Sequence, residues 1–171
     1  MKISLAALIV GAVAALSAST AFGHRSAVNC AGSQLAGRFA VILGSAGAGN
    51  ISYKLTLKNT SATSCTVTGL PRGRLLGLTK KKLPTHIRAA HPGQLTAILV
   101  TLVPGDSTYA TARFSPDVPG PGEQVKGPCE PKAYWFRVSG LRGGTTTVKV
   151  SPPTAVCEHG TMSFSAYSHK R

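Results

Sequence analysis

The stretch ISYKLTLK at residues 51–58 decides the fold class. Every second position carries an apolar side chain, at Ile51, Tyr53, Leu55 and Leu57. The positions between them hold serine, threonine or lysine, and this alternation is typical of a β-strand with one buried face. A polar run follows and ends at Cys65. It contains the sequon Asn59-Thr60-Ser61 and is expected to be a solvated turn.

Similar patterns recur along the chain and predict strands almost everywhere. Alternation is clear at 107–115, 134–138 and 161–167, and it is weaker at 38–43, 65–69, 73–78 and 145–150. No segment after residue 23 shows the apolar repeat of an amphipathic helix. Eight or nine short strands between Gly- and Pro-rich breaks predict an all-β domain with two packed antiparallel sheets.

A hairpin is expected between residues 95 and 115. The run LTAILVTLV at 95–103 is apolar on both faces, as in a buried central strand. Pro104-Gly105-Asp106 supplies turn chemistry before the alternating segment at 107–115. The next segment, 115–132, has five prolines and three glycines and is expected to be a long irregular connection.

The N-terminus predicts export. One lysine precedes an apolar run and then Ala21-Phe22-Gly23, which is the order of a cleavable secretory signal peptide. An uncleaved anchor is the alternative, because residues 3–22 are nearly long enough to span a bilayer. Cys30 lies too far past the apolar run for a lipid anchor. We expect residues 1–23 to be the signal peptide and 24–171 to be one secreted domain, with association with the cell wall left open.

Four cysteines lie after the predicted signal peptide: Cys30, Cys65, Cys129 and Cys157. An exported chain normally holds an even number of cysteines as disulfides, and three pairings are open. We favour Cys30 with Cys65 and Cys129 with Cys157, which close loops of 35 and 28 residues. Each bond would stabilise the fold by about 3–4 kcal/mol in the chain-entropy description.

The chain has a formal net charge of +14, and the charge is unevenly distributed. Residues 24–105 hold ten Lys or Arg residues and no Asp or Glu, whereas 106–171 hold eight basic and five acidic residues. Six cations fall within seventeen residues: Arg72, Arg74, Lys80, Lys81, Lys82 and Arg88. Such a cluster is expected to be solvated and to attract anionic partners in a salt-dependent way.

The order of the motifs resembles a known family. Cys30, GAGNISYKLTLKNTSATSCTVTGLP, LVPGDSTYATARFS, Cys129, VKVSPP and Cys157 follow one another along the chain. Together they are similar to the exported actinobacterial family called domain of unknown function 4232. The resemblance implies a secreted or surface-attached immunoglobulin-like antiparallel β-sandwich, and it implies no activity. The basic 72–88 segment and the missing lipobox depart from the family pattern, so envelope attachment is not carried over.

Three motifs that suggest chemistry have simpler structural interpretations. GSAGAGN at 44–50 lacks the Gly-Lys-Ser/Thr of a phosphate loop and is expected to be a strand connection. In Cys157-Glu158-His159, a disulfide would remove the nucleophile. His86 and His91 are too few ligands for a strong metal site. We therefore expect no catalytic residue, no metal and no cofactor.

Trp135 and Arg137 form a candidate ligand face, opposite Tyr134, Phe136 and Val138 on the predicted strand. An exposed aromatic residue beside an arginine can stack a sugar or form the centre of a partner interface. The alternative, which we favour, is that the Trp135 face packs inward and Tyr134 lies outside.

The sequence favours a non-enzymatic binding or structural module whose basic half engages an anionic partner, such as a cell-wall polymer or polysaccharide. Nucleic acid is disfavoured, because residues 72–91 contain no aromatic residue for base stacking. The alternative function is an exported hydrolase-like enzyme whose site forms only in three dimensions. A cleft that gathers Glu158, His159 and another acid would favour that alternative.

Overall fold

The computed structural model describes residues 28–93 and 98–169. The predicted signal peptide at 1–23 lies outside these ranges, as do residues 95–97 of a predicted strand. The described residues form eleven strands: β1 (Leu35–Val41), β2 (Ile51–Asn59), β3 (Cys65–Val67), β4 (Arg72–Leu76), β5 (His86–Ala89), β6 (Val100–Leu102), β7 (Ser107–Phe114), β8 (Ala133–Ser139), β9 (Thr145–Thr154), β10 (Thr161–Phe164) and β11 (Ser168–His169). They also contain a 3-10 helix, Gly32–Gln34, and a helical turn α1, Cys157–Gly160.

β2 is the strand that the alternation at 51–58 predicts. Tyr53, Leu55 and Leu57 are buried, and the lysines between them are exposed. β2 pairs antiparallel with β1 on one side and with β7 on the other along nearly its whole length. It therefore lies in the interior of the sheet, where its apolar face forms part of the core.

Nine strands form one sheet that curls until its ends approach each other. The order is β4-β8-β9-β1-β2-β7-β10-β5, and β11 adds to β7. Phe136 of β8 and Phe164 of β10 are five strand positions apart in this order, yet their ring centroids are 6.0 Å apart. Phe39 of β1 packs against both rings. The sheet is therefore nearly barrel-shaped, and aromatic side chains fill its interior.

The strands are arranged differently from two flat antiparallel layers. β1 pairs with β9 and β5 pairs with β10 in parallel, and the second sheet consists of β3 and β6 alone. The sequence does not predict β5 or β11. β5 reads HIRA, in which Ile87 is the one large apolar residue, so the period-two signal is missing.

The predicted hairpin of 95–103 with 107–115 is wrong. Within 98–103 the strand is limited to β6, and Ile98 and Leu99 are 54% and 62% exposed. β6 pairs with β3, whereas β7 lies between β2 and β10. An apolar run in the sequence does not show which neighbour covers it, and here part of the run faces solvent.

The turn at Pro104-Gly105-Asp106 is present, but it connects the two sheets instead of closing a hairpin. The Asp106 N–H donates to the Val103 carbonyl at 3.0 Å. The Asn59 N–H donates to the Asp106 carbonyl, and the Gly105 N–H donates to the Asn59 carbonyl, each at 2.9 Å. These bonds place the start of β7 beside the end of β2.

Both favoured disulfides, Cys30–Cys65 and Cys129–Cys157, are confirmed, and the domain is all-β as predicted. The first bond joins the N-terminal segment to β3. The second ties the connection at 115–132 to α1, and this connection contains no strand, as expected. Across the described ranges, no helix has the length and apolar character needed to cross a membrane.

Candidate functional site

Two arginines face each other on the outer surface of β4 and β8. Arg74 is the direct partner of Arg137 in the antiparallel pairing. The adjacent residues Leu75 and Phe136 are buried in the core, so the alternation of the strands turns both arginines outward. The Cβ atoms of directly opposed residues lie about 4.5–5.5 Å apart, and like charges at this separation destabilise the pair.

Gly73 allows β4 to approach β8 this closely. A Cβ atom on Gly73 would lie 2.6 Å from the Arg137 carbonyl oxygen and 2.6 Å from the Phe136 ring. The inward position therefore has no room for a side chain. The flanking Arg72 and Arg74 both point to solvent.

β9 extends this basic surface. Lys149 is the exposed partner of Trp135, on the side of β8 away from β4. No Asp or Glu occurs in β4, β8 or β9. We define the basic face as the outward cations of these strands together with the lysine turn that follows β4: Arg72, Arg74, Arg137, Lys149, Lys80, Lys81 and Lys82.

The lysine turn lies over β8. Lys80, Lys81 and Lys82 are exposed, and the turn is closed by a hydrogen bond from the Gly77 N–H to the Lys81 carbonyl at 2.9 Å. The Lys80 Nζ atom lies 5.7 Å from the centroid of the Trp135 ring, within range of a cation–π contact. This contact places the predicted lysine cluster beside the arginine pair.

Trp135 and Arg137 lie on the side of β8 opposite the core. Phe136 and Val138 are buried, so the favoured interpretation, in which the Trp135 face packs inward, is wrong. Trp135 is nevertheless partly buried, and its Nε1 atom is buried with no hydrogen-bond partner among the described residues. The indole ring packs under the lysine turn and is less available to stack against a ligand.

Arg88, the sixth cation of the predicted cluster, lies on β5, outside the strands and the turn that carry the basic face. It borders a groove of about 600 Å³ on the outer surface of β7, β10 and β5. Ser163 pairs with Arg88 on one side and with Arg113 on the other, and Arg88 Nε donates to Ser163 Oγ at 3.0 Å. Glu158 also lines the groove, 3.9 Å from Arg88, so this groove carries charges of both signs.

The cations of the basic face have no acidic partner in the described part of the chain. Within residues 28–93 and 98–169, Arg88 with Glu158 is the one ion pair between an Arg or Lys and an acid. Uncompensated cations on adjacent strands produce a positive field that attracts anions and weakens with salt.

A second cluster forms where the 115–132 connection meets α1. The Glu123 side chain is 2% exposed, and it accepts hydrogen bonds from the N–H groups of Gly120 at 2.6 Å, of Glu158 at 2.8 Å and of His159. Glu158 and His159 have left-handed φ angles of 56° and 54°, which turn successive N–H groups toward the carboxylate. Burial raises the pKa of Glu123, but these hydrogen bonds and His159 outweigh it and hold the pKa below its ordinary value.

Glu130 and the His159 ring complete this acid–histidine cluster, which we define as Glu123, Glu130 and His159. His159 Nδ1 lies 3.8 Å from Glu123 Oε1 and 3.9 Å from Glu130 Oε1. Burial and the charge of Glu123 raise the pKa of Glu130 above its ordinary value, and His159 offsets part of this rise. Sequence reasoning missed the cluster. The signal that could have found it is the Cys129–Cys157 pairing, which makes the residues beside each cysteine neighbours in space.

The remaining candidates do not form sites. GSAGAGN at 44–50 leads into β2, not into a helix. Neither His86 nor His91 belongs to a group of three metal-ligating side chains among the described residues. Cys157 is disulfide-bonded, so it offers no thiol.

These features define a class of protein: an all-β domain with a curled sheet, two disulfides and an outer face rich in cations. The family model described as Domain of unknown function (DUF4232) matches residues 30–167. The chain therefore belongs to this family, as the order of its motifs indicates. No curated protein and no solved structure matches the chain.

Proposed function

We propose that the protein is an exported, non-enzymatic binding module of the cell envelope or the extracellular medium. Its basic face binds an anionic polymer, such as a cell-wall polymer or an acidic polysaccharide. The observation that carries this proposal is the opposition of Arg74 and Arg137 on adjacent strands, where neither forms an ion pair with an acid of the described ranges. Like charges in direct opposition destabilise a sheet, and an anion between them turns repulsion into attraction.

The spacing of the cations favours a polymer over a small anion. Arg72 and Arg74 are two residues apart on β4, which corresponds to about 7 Å along the strand. Lys149 lies two strands away from β4, at about 10 Å. One phosphate or carboxylate reaches the arginine pair alone, whereas a chain of repeated anionic groups reaches all of these side chains. Arginine suits such groups because its guanidinium can donate two parallel hydrogen bonds.

Two observations support export. The N-terminal 23 residues have the pattern of a signal peptide. All four cysteines are used in disulfides, which persist in oxidising compartments outside the cytosol.

The hydrogen bonding of Glu123 favours a structural role for this carboxylate over a catalytic role in a hydrolase. Glu123 is held by three backbone N–H groups, so its carboxylate fastens the 115–132 connection to α1. A general acid or base must instead be free to exchange a proton with a substrate. Nucleic acid is the less favoured polymer, because Lys80 lies over the ring of Trp135 and makes that ring less available for base stacking.

The proposal is tested by measuring binding of the purified protein to teichoic-type polymer and to sulfated polysaccharide across a range of NaCl concentrations. We expect the logarithm of the affinity to fall linearly with the logarithm of the salt concentration. Combined Lys80→Ala, Lys81→Ala and Lys82→Ala substitutions should weaken binding, and so should Arg74→Gln with Arg137→Gln. Each contacting cation that is removed should reduce the magnitude of the salt slope by about one.

The matched control is Lys126→Ala with Lys132→Ala, which removes two exposed cations from the 115–132 connection. This variant should bind nearly as well as the original protein. Binding that does not respond to salt, no binding at low salt, or an equal loss in the control would contradict the proposal.

A further inference from the structure

We propose that the acid–histidine cluster is a binding site for Zn²⁺, a role that is independent of anion binding at the basic face. Three ligand atoms, one each from Glu123, Glu130 and His159, all lie within 4.8 Å of one another. One imidazole nitrogen and two carboxylate oxygens form a ligand set that suits zinc.

The distances in the cluster are close to those around a bound zinc ion. Zinc binds imidazole nitrogen and carboxylate oxygen at about 2.0–2.2 Å, so tetrahedral ligand atoms lie about 3.3–3.6 Å apart. The distances from His159 Nδ1 to Glu123 Oε1 and Glu130 Oε1 are 3.8 and 3.9 Å. A contraction of about half an ångström brings these atoms to the spacing of zinc ligands.

The His159 ring is oriented as in a metal ligand. Its Nε2 atom lies 3.0 Å from the Pro121 carbonyl oxygen. A carbonyl oxygen can only accept, so Nε2 donates in this hydrogen bond, and Nδ1 is the ring nitrogen left to bind a metal. Histidines that bind metal usually donate their other ring N–H to a carbonyl or carboxylate, which fixes the ring. His159 Nδ1 is therefore the ring nitrogen that faces the two carboxylates.

The backbone hydrogen bonds of Glu123 leave room for one more partner on its Oε1 atom. Oε2 accepts from the N–H groups of Gly120 and Glu158, which uses both of its lone pairs. Oε1 accepts from one backbone group, the His159 N–H, so its second lone pair is not used by the backbone. Oε1 is also the oxygen that faces His159 Nδ1.

Glu130 supplies the second carboxylate of the ligand set. Its side chain is 15% exposed, and among the described residues the one basic group near it is the His159 ring. Two carboxylates this close together repel each other unless a cation or a shared proton lies between them. A divalent cation removes this repulsion.

The fold holds the ligands in place without the metal. Glu130 follows Cys129, and His159 lies two residues after Cys157, so the disulfide fixes the distance between these two segments. Glu123 is fixed by its hydrogen bonds to α1. Zinc therefore binds to segments that are already ordered, and its binding should strengthen the attachment of the 115–132 connection to α1.

The test is a titration of the purified protein, prepared without a histidine tag, with Zn²⁺ in competition with a chromophoric chelator. We expect one zinc ion per chain. Glu130→Gln removes one ligand charge, and His159→Asn removes the imidazole while retaining a residue that tolerates a left-handed φ. Each should lower the association constant by at least about 100-fold, since groups outside the coordination sphere already contribute about 10- to 100-fold.

The control is His86→Gln with His91→Gln, which removes the other two described histidines that the sequence suggests as ligands and should leave zinc binding unchanged. Far-UV circular dichroism and the Tm of each variant without metal show whether the fold is retained. Glu130→Asp keeps a carboxylate and should bind zinc with intermediate affinity. The proposal is overturned if no saturable zinc binding occurs, if the loss occurs in the control instead, or if Ca²⁺ binds as tightly as Zn²⁺ and His159→Asn does not matter. None of these outcomes affects the salt-dependent binding assigned to the basic face.

Discussion

Asn59 connects three parts of the fold through a single amide. Its side chain is fully buried, and Nδ2 donates to the carbonyl oxygens of Thr63 at 2.8 Å and Leu102 at 3.0 Å. Its Oδ1 atom accepts from the N–H and the hydroxyl of Ser61. The expectation of a solvated turn at Asn59-Thr60-Ser61 is therefore wrong at Asn59. The sequence could not show this, because the acceptor on Leu102 lies 43 residues away.

Asn59→Ala should destabilise the protein by about 2 kcal/mol or more, because the Thr63 and Leu102 carbonyls lose a donor and each such loss costs about 1–3 kcal/mol. Urea unfolding with the disulfides intact measures the effect. Lys58→Ala, at the adjacent exposed position, is the control and should change stability by less than about 0.5 kcal/mol. Equal stability of the two variants would show that the hydrogen bonds of the buried amide do not stabilise the fold.

Among the strands, those with one buried face are the ones that the sequence predicts well. In β2 and β7 the alternation of apolar and polar residues matches the alternation of buried and more exposed side chains, so each strand can be predicted from its own sequence. β5 is missed because its pairing with β10 depends on a strand about 75 residues further along the chain. The run at 95–103 is misread because apolar content alone does not reveal which side chains are covered.

Glu123 should stabilise the attachment of the 115–132 connection to α1 against local unfolding. Replacing it with alanine leaves the N–H groups of Gly120, Glu158 and His159 without their acceptor. Hydrogen bonds to a charged group are among the stronger ones in proteins, so these amides should exchange with solvent at least about tenfold faster. Hydrogen exchange resolved by NMR or by peptide mass spectrometry measures this change.

Asp117→Ala is the matched control, because it removes the charge of an exposed acid from the same connection. It should leave the exchange rates at Glu158 and His159 unchanged. If Glu123→Ala also leaves them unchanged, the disulfide alone holds the connection and the carboxylate has no structural role.

At the scale of the whole molecule, the curled sheet rearranges the charges that the sequence groups together. Arg72, Arg74 and the lysine turn stay together, while Arg88 lies on β5 and forms an ion pair with Glu158. Arg137 and Lys149, which are distant in the sequence, join the basic face through strand pairing. The sequence could predict an excess of positive charge. It could not predict that Arg74 lies opposite Arg137, because this depends on the pairing of two strands that are far apart in the chain.

This distribution predicts that salt affects stability and binding in opposite directions. The chain has a formal net charge of +14, and its basic face has no acidic partner among the described residues, so repulsion between cations weakens the folded state at low salt. Between about 0.01 M and 0.15 M NaCl the Debye length falls from about 30 Å to about 8 Å. Screening should therefore raise the Tm by about 2–4 °C, which corresponds to about 1 kcal/mol for a chain of this size.

Thermal unfolding followed by circular dichroism across this salt range tests the prediction, and Arg74→Gln is the informative variant. It removes one member of the opposed arginine pair, so its Tm should be higher than that of the original protein at low salt and should rise less as salt is added. Lys126→Ala removes an equal charge from the exposed connection and should behave more like the original protein. A Tm that falls with salt would mean that attractive ion pairs dominate. The basic face would then be neutralised within the protein and would have no charge available for a polyanion.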